Sequence, residues 1–285
     1  MTNQGIELEV GYKLSVDKVN LSFLANASYV KNEIKNLGNQ TGYIDKESLP
    51  TLGTVSRNEN GYPIGYFFGY KAIGVFQTQE EIDSYISPAT GKPIQPNAVP
   101  GDTKFEDLNG DGVISDDNED RTMIGKPNPD WIVGLTVAAD WNGFDLSAFF
   151  QGSFGADVFD ALRRYELAAV NYTSDALERW TGPGTSNSMP RIVLGDTPKN
   201  FRPSTLLVHD ASFLRLRNLQ VGYTLPAQLT RKAYIQRLRF YASFDNLLTI
   251  TGYKGMDPEI GSTMGIDKGV YPQARVYTFG LNLTF

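Results

Sequence analysis

The side chains best placed for chemistry in this chain are oxygen donors, not nucleophiles. Asp107-Leu-Asn109-Gly-Asp111-Gly112-Val113-Ile114-Ser115 puts side-chain oxygens at alternate positions, a glycine at the sixth and a backbone carbonyl at the seventh. That order matches the first nine positions of a calcium loop, which wraps a hard cation in hard oxygen ligands around one sharp turn. Asp107, Asn109 and Asp111 are the candidate side-chain ligands. Val113 is the candidate carbonyl ligand, and Ile114 would anchor the loop in apolar packing. The closing carboxylate is displaced: position twelve is Asn118, with Asp116, Asp117, Glu119 and Asp120 around it. The competing reading is an acidic turn held by Asx hydrogen bonds without metal. A bound Ca2+ would staple a loop here and carry out no reaction.

Other chemistry lacks its parts. The chain has no cysteine and one histidine, His209, so the common nucleophilic triads cannot be assembled. No P-loop and no G-x-G-x-x-G occurs, and no carboxylate pair stands at a diagnostic spacing. These residues describe a protein that binds, not an enzyme. The net charge of -6 disfavours a nucleic-acid partner. Residues 159–181 read as a helix inside a connection. Tyr165, Tyr172 and Trp180 within it could stack on sugar rings as a substrate site, or could pack the connection's own small core. Gly65-Tyr-Phe-Phe-Gly-Tyr70 is open to the same two readings.

The elements that must position these residues are strands. Side chains alternate across a strand with period two. Residues 274–285 put Tyr277, Phe279, Leu281, Leu283 and Phe285 on one face and Val276, Thr278, Gly280, Asn282 and Thr284 on the other. A greasy aromatic face opposite a small polar one suits lipid outside and a polar filling inside. The same alternation runs through 6–14, 19–30, 131–141, 144–154, 213–225 and 238–247. The strand at 131–141 carries a tryptophan at each end, as an interfacial belt requires. Parity breaks in 213–225: either a bulge lies near Arg217-Asn218, or Arg215 and Arg217 face outward at an extracellular rim.

Connections alternate strictly. Ser15–Lys18, Asn142-Gly143 and Pro226–Gln236 are short; 31–130, 155–212 and 248–273 are long. Outer-membrane barrels show this pattern, with short periplasmic turns and long extracellular loops. No apolar run approaches the ~20 residues of a membrane helix. The fold class is therefore all-β: about seven antiparallel strands of a transmembrane β-barrel with long extracellular loops, embedded in outer-membrane lipid. Seven strands leave unpaired edges in lipid, which is costly. The N-terminus shows no signal peptide. The expectation is a barrel segment spanning 1–285, with further strands upstream.

In these residues the chain resembles the C-terminal part of SusC/RagA-type TonB-linked outer-membrane proteins. The resemblance rests on Pro63–Tyr70 with Gly74-Val-Phe-Gln77, on Gly101-Asp102, on Asp107–Gly112 with Arg121-Thr-Met-Ile-Gly125, and on Pro127-Asn-Pro-Asp-Trp131. Arg179-Trp-Thr181 with Met189-Pro-Arg191, Ser212–Leu219, Gly222-Tyr-Thr-Leu-Pro226, Asn246-Leu247, Asp257-Pro-Glu259 and the terminal Phe285 complete it. It covers nearly the whole chain, in order. It implies a barrel of about 22 strands filled by an N-terminal plug. It also implies TonB-driven import of oligosaccharides or peptides, a SusD-type surface lipoprotein as lid, and recognition of Phe285 by the barrel-assembly machinery. The stretch after Ser115 runs longer than the family's usual loop. The plug, a TonB-contacting segment and the earlier strands lie outside the 285 residues. Two other classes compete with a transporter segment: a passive barrel or adhesin, and a soluble calcium-binding β-sandwich whose aromatic faces would bury against a second sheet.

Overall fold

The structure is a computed structural model; it describes all residues except 51, 117–118, 164, 166–170 and 261–263. Seven long strands form one antiparallel sheet: β1 (Thr2–Val16), β2 (Val19–Glu33), β3 (Trp131–Trp141), β4 (Phe144–Phe154), β5 (Phe213–Thr224), β6 (Arg237–Thr251) and β7 (Val276–Thr284). Each pairs with its neighbour in sequence, so the sheet is a meander with β1 and β7 at its two edges. Strands β2 and β6 run past the apolar alternation, to Glu33 and Thr251. Backbone pairing does not need apolar side chains once the chain has left the hydrocarbon layer.

Tight turns set the register. Asn142 and Gly143 both take positive φ, 48° and 86°, the conformation a two-residue hairpin needs to match strand twist. The pairing then lines up every apolar face. Val10, Ala25, Leu135, Phe150 and Leu216 form one cross-sheet row, and Trp141, Phe144, Tyr223, Phe240 and Leu281 form another. This face stays open: Ile6 is 74% exposed and Phe279 75%. No second sheet covers it among the described residues, which removes the basis of the β-sandwich alternative. Aromatic rings cluster at both ends of the face. Phe144 lies 4.5 Å from Tyr223 and 6.3 Å from Trp141 at the short-turn end; Tyr29 lies 5.0 Å from Trp131 at the other. The eleven residues of β3 span about 33 Å at a rise of ~3.3 Å per residue. Tilted as barrel strands are, that matches an apolar band about 25 Å tall.

The opposite face is polar and internally paired. Arg239 reaches Asp145 at 2.5 and 2.9 Å and Gln220 at 3.1 Å. Asn218 donates to Asp245 and Ser243. Gly222 lies directly beneath the Arg239–Asp145 pair, where a Cβ would overlap both side chains. The bulge expected in β5 is present at Arg217: its register slips against both β4 and β6. It turns Arg217 and Asn218 to the same polar side. The outward-facing placement of Arg215 and Arg217 is therefore not what the chain adopts.

The hydrophobic core lies above the sheet, in the three long connections 34–130, 155–212 and 252–275. Leu49, Val55 and Phe67 of the first pack with Phe159 and Leu207 of the second and Ile266 of the third, all 9% exposed or less. Strand pairing joins them as well. Asp157–Asp160 pairs with Val208–Asp210 and, in parallel, with Ile266–Asp267. Tyr66–Tyr70 is wholly buried within a four-stranded sheet of the first connection, so its aromatics pack the loops. The helix expected over 159–181 is not formed by the described residues. Its start is the strand Asp157–Asp160, and its later part is one 3-10 turn, Ser174–Glu178; residues 164 and 166–170 of that span lie outside the described set. Phe159 is drawn into packing between connections and Tyr165 into a small core within its own, which overrides the local helical spacing.

Candidate functional site

The polar face and the loop assembly meet at a mouth. A cavity of about 650 Å3 opens there between the upper ends of β1–β3 and the first connection. A second, of about 280 Å3, lies under the second and third connections. They share Asn128, Pro129 and Ile132, so they form one groove along the inner wall. Its lining mixes apolar surface (Ile64, Ile132, Ile260) with amides (Asn128, Gln151) and charges of both signs (Lys31, Lys126, Glu33, Asp130, Asp157, Glu259). Such a lining suits a polar, hydrogen-bonding ligand with apolar patches.

An ion lock holds one side of this mouth. Arg215 is 2% exposed; its guanidinium donates to Asp257 at 2.5 Å, Glu259 at 3.0 Å and Thr249 at 2.9 Å. Arg217, on the bulge, donates to Glu259 at 2.6 Å and to Gln151 at 2.7 Å. The Asp257-Pro258-Glu259 corner of the third connection is thereby pinned to the wall strands β4, β5 and β6. Burial alone would raise the pKa of Asp257. The amides of Gln273 and Glu259 and the Arg215 guanidinium outweigh burial and hold the carboxyl below its usual value. No residue spacing announces this lock, because the partners stand about forty residues apart.

The oxygen-rich loop has its own internal order. Asp107 accepts from the amides of Gly110 and Gly112, Asn109 from Asp111, and Asp111 from Val113. Gly112, at φ 88°, packs on Ser87 where a Cβ would overlap it. Asp120 is fully buried and accepts from Leu108 and Ser115, so it closes the loop as a backbone cap. Burial raises its pKa against those amides. Among the described residues, no three acidic or imidazole side chains converge as a cation cage. Asp117 and Asn118, two candidates for the closing ligand, lie outside that set. The loop offers hard oxygens at a suitable spacing, and the Asx network accounts for its shape without a cation.

Of the three stacking candidates, Tyr165 and Tyr172 meet and Trp180 stands apart from them. Tyr165 is 2% exposed, against Phe201 at 5.0 Å and Tyr172 at 5.9 Å, with Ala176 in the same small core. Its ring faces are taken up by loop packing. Tyr172 keeps an exposed ring, at 45%. Trp180 sits across Gly101, and its indole N–H donates to Gln77 at 3.2 Å. None of the three lines the mouth groove. His209 is half-buried, its Nε2 3.8 Å from Asp160; burial pushes its pKa down, which suits a neutral packing residue beside Tyr253.

Comparison with known proteins places this architecture. No family model matches the chain. TonB-dependent receptor P3 of Formosa agariphila is 34% identical over 236 residues, 79% of the chain and 22% of that protein. TonB-dependent receptor SusC of Bacteroides thetaiotaomicron is 30% identical over 291 residues, 100% of the chain and 26% of that protein. The chain thus spans about a quarter of the length of these curated relatives. Among solved structures, the RagAB peptide transporter superimposes with a TM-score of 0.75 at 26% identity, over 99% of this chain and 29% of that one. The RagAB peptide importer in its closed-closed state gives 0.73 over the same shares. The chain belongs to the SusC/RagA-type TonB-dependent receptors, and is a stretch of their outer-membrane β-barrel wall together with its long loops.

Proposed function

We propose that this chain forms part of an active outer-membrane importer of oligosaccharides or peptides, working with a SusD-type surface lipoprotein. The observation that carries the reading is the pairing of a lipid-faced wall with a folded loop cap over a polar, grooved mouth. The solved relatives named as peptide transporters share this wall. In this reading the loops and the lipoprotein enclose the substrate, and a plug outside these 285 residues releases it when TonB pulls from below. Further strands close the barrel, and Phe285 ends the strand presented to the barrel-assembly machinery. Chemistry is absent from the cycle: the residues bind, orient and exclude water.

The test is uptake by cells carrying or lacking the receptor, with labelled oligosaccharides and labelled peptides supplied in parallel. Loss of one class on deletion, and equal loss on removing TonB, is the expected result. Uptake that persists without TonB would make the protein a passive barrel.

Ca2+ at Asp107, Asn109, Asp111 and the Val113 carbonyl remains a proposal supported by oxygen spacing alone. Extracellular calcium modules bind at about 10⁻⁴–10⁻³ M. At 1 mM, one to ten times such a Kd, a bound cation adds about 0.4–1.4 kcal/mol. Millimolar Ca2+ should therefore protect residues 107–120 from proteolysis relative to chelator, and Asp107→Asn should remove the protection. Identical cleavage with and without Ca2+ would leave the Asx turn as the whole account.

A further inference from the structure

A third cavity, of about 520 Å3, lies away from the mouth, between the first and second long connections. Tyr70 and Phe201 provide aromatic surface, and Arg121, Lys199 and Arg202 provide three cations. Both guanidinium groups are held on ring faces. Arg121 stacks on Phe68 at 4.3 Å, and its Nη2 donates to the Phe68 carbonyl at 2.6 Å. Arg202 stacks on Tyr70 at 4.8 Å and Phe105 at 5.0 Å, and its Nε donates to the Lys199 carbonyl. Stacking fixes the planes of these groups at little further entropic cost.

Two carboxylates line the same cavity, and they differ. Asp196 is committed to the chain, accepting from the amides of Asn200 and Phe201 at 2.8 and 2.9 Å. Asp116 is 65% exposed and bridges the cations: Lys199 bonds it directly, while Arg202 Nη1 stands 3.8 Å off. That distance is beyond hydrogen-bond reach. Arg202 Nη1 has no hydrogen-bond partner among the described residues. A buried guanidinium nitrogen facing a carboxylate it does not quite reach marks a position where a closer oxyanion would bind.

We propose that this cavity binds the oxyanion of an acidic ligand, a carboxylate or sulfate ester, and that Asp116 occupies the anion's position until the ligand displaces it. Lys199 and Arg202 carry the recognition, and Arg121 supplies a fixed background charge. Asp116 acts as an internal competitor, so it lowers affinity without being part of the bound state. The site is separate from the mouth groove, and its test needs no transport, so it stands or falls apart from the importer reading.

The probe is radiolabelled inorganic sulfate, measured by equilibrium dialysis against the detergent-purified receptor that carries this chain, at constant ionic strength set with chloride. The wild type should bind saturably. Asp116→Asn should tighten binding about 5-fold, since it removes the competitor and keeps the shape. Lys199→Gln, a change at a half-exposed side chain with no packing role, should weaken it about 5-fold. Arg202→Gln should abolish it; heat-modifiable migration on gels checks that this variant still forms a barrel. Absence of saturable binding, weaker or unchanged binding in Asp116→Asn, or unchanged binding in Lys199→Gln would each overturn the proposal.

Discussion

Arginine in place of Leu135 should cost the receptor that carries this chain about 2–4 kcal/mol of stability in the membrane. Leu135 lies near mid-height on the outward face of β3, between the girdle residues Trp131 and Trp141, with Ala25 and Phe150 beside it. A guanidinium there must leave water for hydrocarbon or drag water in with it. Thr136→Arg places the same charge one residue on, on the inward face beside Leu24 and Phe149 but away from lipid, and should cost less than half as much. Urea unfolding of the receptor in lipid vesicles measures both. Equal costs would mean that the two faces of the sheet have been assigned to the wrong solvents.

The second large effect is expected at Arg215. Arg215→Met removes the cation from a buried pair and strands Asp257, 7% exposed, with two amides but no counter-charge. Breaking a buried pair from one side typically costs about 3–5 kcal/mol. Here the loss should appear locally, as faster hydrogen exchange and proteolysis in residues 252–275 while the wall strands stay protected. The double variant Arg215→Met with Asp257→Leu should recover much of that protection, because no charge is left buried. A double variant as exposed as the single one would show that packing, not charge, holds the corner. The pH behaviour follows from the lowered pKa of Asp257. The folded state keeps this carboxylate ionised below the pH at which the unfolded chain protonates it. Its contribution is thus complete above about pH 4 and fades only as pH falls through the lower folded value.

The wall was legible in the sequence because period-two alternation is a local signal and lipid makes it strict. Val133, Leu135 and Val137 announce one face and Gly134 and Thr136 the other. Asn142-Gly143 fixes the register that carries the pattern across. The bulge at Arg217 was visible as a break in parity, and only backbone pairing decided between the two ways of resolving it. The loop cap was not legible. Phe67 stands in the aromatic run Gly65–Tyr70 and Phe159 and Ile266 in mixed stretches, and nothing local to any of them names the other two. The helical spacing of Phe159, Leu162 and Tyr165 misled for the same reason. Phe159 is claimed by a core contributed from elsewhere, and the chain there extends to reach it. At the mouth, Arg215 and Asp257 could be read as a motif but not as a pair. Of the residues offered for sugar stacking, Tyr165 and Tyr172 meet in the second connection while Trp180 lies across Gly101, a division that their spacing does not announce.

The placement of the largest apolar core among the described residues between three connections, and not on the sheet, has a kinetic consequence. Each wall hairpin pairs residues close in sequence, so the wall can grow strand by strand with little loop-closure entropy. Phe67, Phe159 and Ile266 follow one another at intervals of roughly a hundred residues, and contacts of that span or more form slowly. The cap can condense only after the third connection, residues 252–275, has reached the outer side, which is among the last segments of this chain to cross. Until then the first two connections, 34–130 and 155–212, wait outside the membrane with Val55, Phe67 and Phe159 uncovered. For this chain the late, aggregation-exposed step of biogenesis is therefore the closing of the cap, not the pairing of the wall.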